Sequence, residues 1–318
     1  MLKRILAATT SLLMLAVGAV AFVLLRPPSV VLGPDPLEQA NLSFLVLGDQ
    51  GTGNGRQWAV ATGLETVASR SRNVSFVVLL GDNFYGDGFT STVDLQWRYK
   101  FENVYTGKHL RGIPFYAVLG NHDTGGDTNA QVRYTQEKSG SNRWRMPARH
   151  YVRDFGVTQD CADCPLLRIV FLDTTRHQST LVEEARFLQQ STELAGKPRW
   201  RFVAAHHPVR SLGRHGEDQN LIKALLPSLK QAGIHLYLSG HEHNQQIIQI
   251  SGEPTYLVSG AGGKSGYPVK DAPHLVFGSE ERGFTLLEVE QDTITLKPFN
   301  AAAEQLGELL IKHTKATL

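Results

Sequence analysis

The sequence predicts an α/β layered fold, and three observations carry that prediction. Beyond residue 42, short apolar runs alternate with amphipathic stretches at helical spacing, the pattern of strands and helices stacked in layers. Six of the apolar runs stop at a residue able to coordinate a metal ion. The length of 318 residues is enough to bury a full core as one large domain or two small ones.

The chain opens on Lys3 and Arg4, an uncharged stretch from Ile5 to Leu25, and then Arg26-Pro27-Pro28. About 20 apolar residues span a bilayer as a helix, and basic residues in front place the N-terminus in the cytosol. Ala19-Val20-Ala21 fits a cleavage site, but Phe22-Val23-Leu24-Leu25 prolongs the apolar run past it. Residues 1–26 are therefore read as a membrane anchor or signal peptide, with the unbroken run favouring the anchor. Either way the rest of the chain is expected to be exported to the periplasmic or extracellular side. Residues 27–42, with four prolines between Pro27 and Pro36, read as an extended linker. Residues 43–318 form the remaining domain.

Within that domain the run endings hold the information. Phe44-Leu45-Val46-Leu47 ends at Gly48-Asp49, and Phe76 to Leu80 ends at Gly81-Asp82. Phe115 to Leu119 ends at Gly120-Asn121-His122-Asp123, and Ile169 to Leu172 at Asp173-Thr174. Arg201 to Ala205 ends at His206-His207, and Leu236-Tyr237-Leu238 at Ser239-Gly240-His241-Glu242-His243. Arg56–Ser69, Asp94–Tyr105, Thr180–Leu194 and Glu217–Gln231 have apolar residues at helical spacing and are expected to be packing helices. Phe284–Glu290 and Thr293–Phe299 alternate around Gln291-Asp292 as a hairpin, with Leu309-Leu310-Ile311 as an added edge strand.

In open α/β sheets ligands bind beyond the carboxyl ends of strands, so six such endings would build one polar cluster. A glycine before the ligand lets the chain turn sharply and approach an ion closely. One Gly-Asp ending is an ordinary turn; four Gly-ligand endings and a His-His ending in one chain are not. The cluster offers Asp49, Asp82, Tyr85, Asn121, His206, His241 and His243. Oxygen donors mixed with imidazole suit iron, zinc or manganese better than calcium. His241 and His243 are two apart, so in an extended segment they face one site. Seven donors are too many for one ion and suit two sharing a carboxylate. Asp82 is the natural bridge. Two ions about 3.5–4 Å apart activate a water and clamp a phosphoryl group. A phenolate at Tyr85 argues for trivalent iron, which lowers the pKa of bound water below zinc's value of about 7, so an acid optimum is expected.

Other residues are weaker candidates. Spacing alone does not separate His206 from His207. Asp123 and Asp173 read as turn caps or supports. His109, His150, His177, His235, His274 and His313 read as surface or packing residues, and Arg201, Arg210 and Arg214 as a solvated basic rim. Cys161 and Cys164 are the chain's two cysteines, which in an exported protein favours a local disulfide. Asn41-Leu42-Ser43 and Asn73-Val74-Ser75 match a glycosylation sequon. The net charge of +2 is unclustered, so no nucleic-acid partner is expected. The segments Asp87–Thr92 and Gly125–Asn129 would decide between phosphate monoesters and the alternative, phosphodiesters or nucleotides.

The combined motifs resemble the calcineurin-like metallophosphoesterases, and within them the purple acid phosphatases of the small, tartrate-resistant type. The resemblance runs from about residue 43 to the end. It rests on Gly48-Asp49-Gln50-Gly51, Gly81-Asp82-Asn83-Phe84-Tyr85, Gly120-Asn121-His122-Asp123, Val203-Ala204-Ala205-His206 and Gly240-His241-Glu242-His243-Asn244. Tyr85 is the discriminating residue. Further similarity covers His207 to Ser211, His215-Gly216 and Ser259 to Gly262. The resemblance implies a four-layer α/β/β/α sandwich of two mixed sheets. It implies Asp49, Asp82, Tyr85 and His243 on ferric iron, and Asp82, Asn121, His206 and His241 on a divalent ion (iron, zinc or manganese). It implies that His122 and His215 hold phosphate and protonate the leaving group. The implied activity is hydrolysis of phosphate monoesters, small molecules or phosphoproteins, by attack of a metal-bound hydroxide. The loop from Asp173-Thr174 to about Glu184 looks shorter than the repression loop of the mammalian enzymes, so activation by cutting it is not carried over.

Overall fold

The computed structural model describes residues 39–313 except 87, 162, 176, 177 and 265. The anchor or signal, most of the linker and His177 lie outside the described residues. Among the described residues no helix is long and apolar enough to cross a membrane.

Two seven-stranded sheets form the body. The first begins with parallel strands β1 (Leu42–Leu47), β2 (Val74–Leu79), β3 (Phe115–Ala117) and β4 (Trp144–Arg145). The chain then crosses to the second sheet, through β5 (Tyr151–Val157), β6 (Pro165–Phe171), β7 (Trp200–Ala204), β8 (Leu236–Ser239), β9 (Gln245–Gln249), β10 (Thr255–Ser259) and β11 (Leu275–Ser279). Its spatial order is β11-β9-β10-β8-β7-β6-β5, with β6, β7, β8 and β10 parallel. The hairpin β12 (Gly283–Val289) and β13 (Thr293–Asn300), with edge strand β14 (Leu309–Lys312), returns to the first sheet and pairs antiparallel with β1. Both sheets are therefore mixed, as expected.

Period-two alternation explains the layering. Ile169 and Phe171 of β6, Phe202 and Ala204 of β7, and Leu236 and Leu238 of β8 join the core shared with the first sheet. Their neighbours Val170, Val203 and Tyr237 face a second core with Leu181, Leu188, Leu221, Leu225 and Leu229. Those leucines belong to the helices Gln178–Ser191 and Gln219–Gln231, at four- and seven-residue spacings that line one face. Asp218 caps the second of these helices, accepting from the amide of Asn220 at 2.8 Å. On the outer face of the first sheet, helix Gly55–Arg70 contributes Val60, Leu64 and Val67 to the core. Helix, sheet, sheet, helix is the four-layer sandwich.

One expected element differs. Asp94–Tyr105 does not form a full α-helix; its regular part is a π-helical turn, Arg98–Glu102. The apolar spacing does mark an inward face, since Trp97, Phe101 and Tyr105 are buried and Trp97 stacks on Tyr134 with ring centres 3.5 Å apart. Lys100 and Glu102 are also buried, which requires partners. Lys100 donates to the Tyr85 carbonyl and to Gln96. Glu102 accepts from Tyr134 at 2.7 Å and from the Ser141 amide at 3.0 Å. These fixed partners, invisible to periodicity, accompany the wider winding, as is common for π-turns near functional sites.

Candidate metal centre

The carboxyl ends of β1, β2, β3, β7 and β8 converge where the two sheets meet. The Asp49 amide donates to the Gly81 carbonyl at 2.9 Å, and the Gly240 amide to the His206 carbonyl at 3.0 Å. Asp49, Asp82 and His241 each sit in the left-handed region, with φ of 59°, 52° and 68°. Such strain costs about 1–3 kcal/mol per residue and persists only where the surroundings impose it. Gly120 shows why glycine precedes a donor: a Cβ there would lie 2.3 Å from Asp82 Oδ1. Gly81 combines φ of 87° with a neighbour, His206 Nδ1, that a Cβ would meet at 2.6 Å.

The seven donors named from the sequence come together, in two halves. In one, Tyr85 Oη donates to Asp49 Oδ1 at 3.1 Å and lies 3.3 Å from His243 Nε2. His243 Nε2 and Asp49 Oδ1 are 3.5 Å apart. In the other, Asn121 Oδ1 lies 3.0 Å from His206 Nε2 and 3.1 Å from His241 Nδ1. Asp82 Oδ1 lies 3.5 Å from that same His206 nitrogen. Asp82 also belongs with Asp49 and His206 to a group whose donor atoms all fall within 4.8 Å of one another and could hold a metal ion. His206, His207 and His241 form a second such group.

The expectation that His241 and His243 share an extended segment is corrected here. Residues 241–244 form bends, with His241 at positive φ. The two rings reach different halves of the site, one through Nδ1 and the other through Nε2. The adjacent histidines also separate. His206 anchors Nδ1 on the Leu80 carbonyl at 2.8 Å and turns Nε2 inward. His207 Nδ1 instead meets the Thr174 hydroxyl at 2.9 Å.

Electrostatically the cluster is primed for cations. Burial, and then Asp82, raises the Asp49 carboxyl well above its usual range. Burial also opposes charge on Asp82, but His206 and the amide of His122 outweigh it and hold that carboxyl below its usual value. Burial, Asp49 and Asp82 all push the Tyr85 phenol up. Burial foremost holds the His243 imidazole down to about 4 and His207 to about 3, and lowers His241 as well. Neutral imidazoles beside crowded carboxyls form a donor set that a metal ion fits, because the ion takes over from protons in neutralising the repulsion between the oxygens.

Supporting residues complete the site. Asp123 accepts from the amides of Asn83, Phe84 and Gly120 at 2.8–3.0 Å, so it shapes the two loops that carry Asp82 and Asn121, as a support and not a donor. His122 donates its amide to Asp82 Oδ1 at 2.9 Å, and its ring centre lies 4.7 Å from that of Tyr85. His215 stacks on His241 at 4.3 Å. Glu242 receives the amides of His215 and Gly216. Sequence reasoning gave no role to Glu242, Lys264 or Tyr267. Glu242 had a signal, an acid between two candidate donor histidines; Lys264 and Tyr267, which approach Tyr85 and His243, had none. Arg210 is not a free rim residue but pairs with Glu253 at 2.7 Å and Glu217 at 3.1 Å. Cys161 and Cys164 are disulfide-bonded.

A family model for the calcineurin-like phosphoesterases matches residues 42–245. Purple acid phosphatase 17 of Arabidopsis thaliana is 32% identical over 286 residues, covering 83% of this chain and 81% of the relative. Tartrate-resistant acid phosphatase type 5 of Oryctolagus cuniculus is 32% identical, over 76% of this chain and 80% of its own. Among solved structures, the Plasmodium protein described as GAP50, the anchor in the inner membrane complex, is 26% identical with a TM-score of 0.77. It covers 88% of this chain and 91% of its own.

Proposed function

The chain belongs to the calcineurin-like phosphoesterases, among the purple acid phosphatases, and from that premise we propose that this metal-dependent phosphoesterase is an exported acid phosphatase acting on phosphate monoesters. The observation that carries the proposal is the meeting of Tyr85 Oη with Asp49 and His243. A phenol oxygen among carboxylate and imidazole donors suits ferric iron. In this reading Asp49, Asp82, Tyr85 and His243 hold ferric iron, and Asp82, Asn121, His206 and His241 hold a divalent ion. Asp82 would be the shared ligand, a reading supported by its Oδ1 lying 3.5 Å from His206 Nε2 and by its grouping with Asp49 and His206 within 4.8 Å. When bound, two such ions activate water and neutralise phosphoryl oxygens.

The chain's own residues supply the rest. His122, its amide tied to Asp82 and its ring against Tyr85, is placed to hold a phosphoryl oxygen. His215, stacked on His241 and half exposed, is placed to give a proton to the leaving oxygen. The Cys161–Cys164 disulfide supports an oxidising compartment. A purely anchoring role, such as the Plasmodium relative is described as having, would not require three donors kept in strained backbone.

The test is direct. Purified protein is assayed for metal content, visible absorption and hydrolysis of an aryl phosphate and a diester across pH. Iron, a purple colour and monoester turnover in acid are expected. A colourless, iron-free protein refutes the Tyr85 role, and activity on diesters alone moves the reading to a phosphodiesterase. An Asp82→Ala protein that keeps both metals and full activity removes the bridge.

A further inference from the structure

The end of the sandwich opposite the candidate metal centre holds a cavity of about 440 Å³. The segments that lead into β6, β7 and β8 bound it, with Cys164, Lys197, Arg201, Gly233 and His235 in its wall. Arg201 lies five residues before His206, about 17 Å away at 3.3 Å per extended residue, so it is not part of a rim around the centre. Its Nε is buried and has no hydrogen-bond partner, and among the described residues no carboxylate pairs with it. Arg168, opposite Arg201 in the β6–β7 pairing, takes both oxygens of Asp154 at 2.7 Å. Arg201 Nη1 faces the open space above Gly233, where an added Cβ would meet it at 3.8 Å and nothing nearer. Lys197, exposed in the same wall, also lacks an acid among the described residues. Arg199, by contrast, pairs with Asp292 and donates Nε to the Gln291 carbonyl at 2.8 Å. The wall's own acid, Asp160, is exposed and accepts from Gln291 Nε2 at 3.2 Å, not from either free cation.

His235 adds a donor to the same wall. Its Nδ1 accepts the Arg201 amide at 3.2 Å, so the neutral ring carries its proton on Nε2. Burial first, and then His313, Arg201 and Arg199, hold this imidazole down to about 4. A place that resists one more positive charge attracts a negative one. A half-buried guanidinium without a partner is also unfavourable by itself, and a bound anion removes that cost. Guanidinium, ammonium and imidazole N–H groups are all donors, so the complement is an acceptor-only group with several oxygens. We propose that this cavity is a second binding site, for a phosphate-type oxyanion, with Arg201 as its main contact and Lys197 and His235 beside it. The site stands apart from the metal centre and does not depend on what that centre hydrolyses. The cavity is larger than a bare ion, so the phosphate has two sources, a free ion or a lipid headgroup. Gln39 enters the fold at this end, its carbonyl accepting from the amide of Val157, next to Thr158 of the cavity wall, at 2.9 Å.

The experiment titrates inorganic phosphate calorimetrically into the metal-loaded full chain. Two sites are expected, one at the metal centre and one here. Arg201→Gln should weaken the second at least tenfold, the effect of one charge-assisted contact, and the exposed Lys197→Gln about threefold. Inhibition of p-nitrophenyl phosphate hydrolysis by phosphate reports the metal centre, and its constant should stay within about twofold in both variants. Denaturation without phosphate separates binding from a structural role: Arg201→Gln should unfold at the wild-type midpoint or above it, because a charge without a partner has been removed. The lipid arm measures binding to vesicles of phosphatidylglycerol in phosphatidylcholine against phosphatidylcholine alone. A second phosphate site that Arg201→Gln removes identifies a free ion. A phosphatidylglycerol preference that Arg201→Gln removes identifies a headgroup, and either result supports the site. A single phosphate site together with no Arg201-dependent lipid preference overturns it. So does an Arg201→Gln protein that unfolds earlier while both forms of binding are unchanged. The calorimetric and lipid arms need no turnover, so a protein that hydrolyses no ester refutes the phosphatase reading and leaves this test intact.

Discussion

Tyr85 donates its hydroxyl to Asp49 Oδ1 across 3.1 Å, linking the loops that follow two adjacent parallel strands. Asp49 does not depend on that bond alone, since its Oδ2 accepts from the His241 amide at 2.8 Å. Tyr85→Phe should therefore keep the fold, at a cost of about 1 kcal/mol for one buried hydrogen bond. It should abolish the purple absorption of the iron-loaded protein. Visible spectra and thermal unfolding of the same sample check both; a retained band would remove Tyr85 from the iron.

Gly120→Ala should damage the centre without touching a donor side chain. The added methyl would lie 2.1 Å from the Asp82 amide nitrogen and 2.3 Å from Asp82 Oδ1, so one of the two loops must move. Displacements near 1 Å at a catalytic group cost about a hundredfold in rate. Activity should fall by at least that much, and metal per chain after dialysis should drop, while far-ultraviolet circular dichroism stays native.

Metal uptake should release protons. Without metal, burial and Asp82 keep Asp49 protonated further up the pH scale than an ordinary carboxyl, and Tyr85 is held neutral. Both must give up protons to bind an ion. His243, held down to about 4, is already neutral and releases none. Titration in weak buffer near neutral pH should show proton release with metal, and affinity should weaken as pH falls.

Acid stability has a contribution outside the centre. Burial, followed by the charges of His313 and Arg201, holds His235 down to about 4 from its ordinary 6.5. Between those values the unfolded chain binds the proton more readily, so stability is lost as pH falls from 6.5 towards 4. His235→Gln should flatten denaturant midpoints over that window relative to wild type, with metal bound. An unchanged pH profile would show that His235 is not held neutral.

Arg143 and Glu102 form an ion pair with both side chains fully buried, 3.3 Å apart. Removing one partner strands the other, which costs about 3–5 kcal/mol. Glu102→Ala should lower the chemical denaturation midpoint accordingly. It should also loosen the π-helical turn whose Lys100 holds the Tyr85 carbonyl, reducing metal occupancy in protein that remains folded.

The sequence by itself determined the layered fold and picked out the seven candidate donors that the fold brings together, because both are written locally. An apolar run that stops at a coordinating residue is one strand and its end; β1, β2, β3 and β8 carried that signal with a glycine before the donor, and β7 carried it as a run ending directly at His206. Tertiary structure decided what depends on pairs distant in the chain. It put Tyr85 beside His243, 158 residues away, turned His206 inward while His207 went to Thr174, and bent the His241–His243 segment instead of extending it. It also placed Lys264 over Tyr85 and Tyr267 against His243, for which no motif spoke. The reason is physical: a strand end fixes which atom is offered, but the direction in which that atom points, and the charge it meets, follow from how two sheets twist together around a shared core.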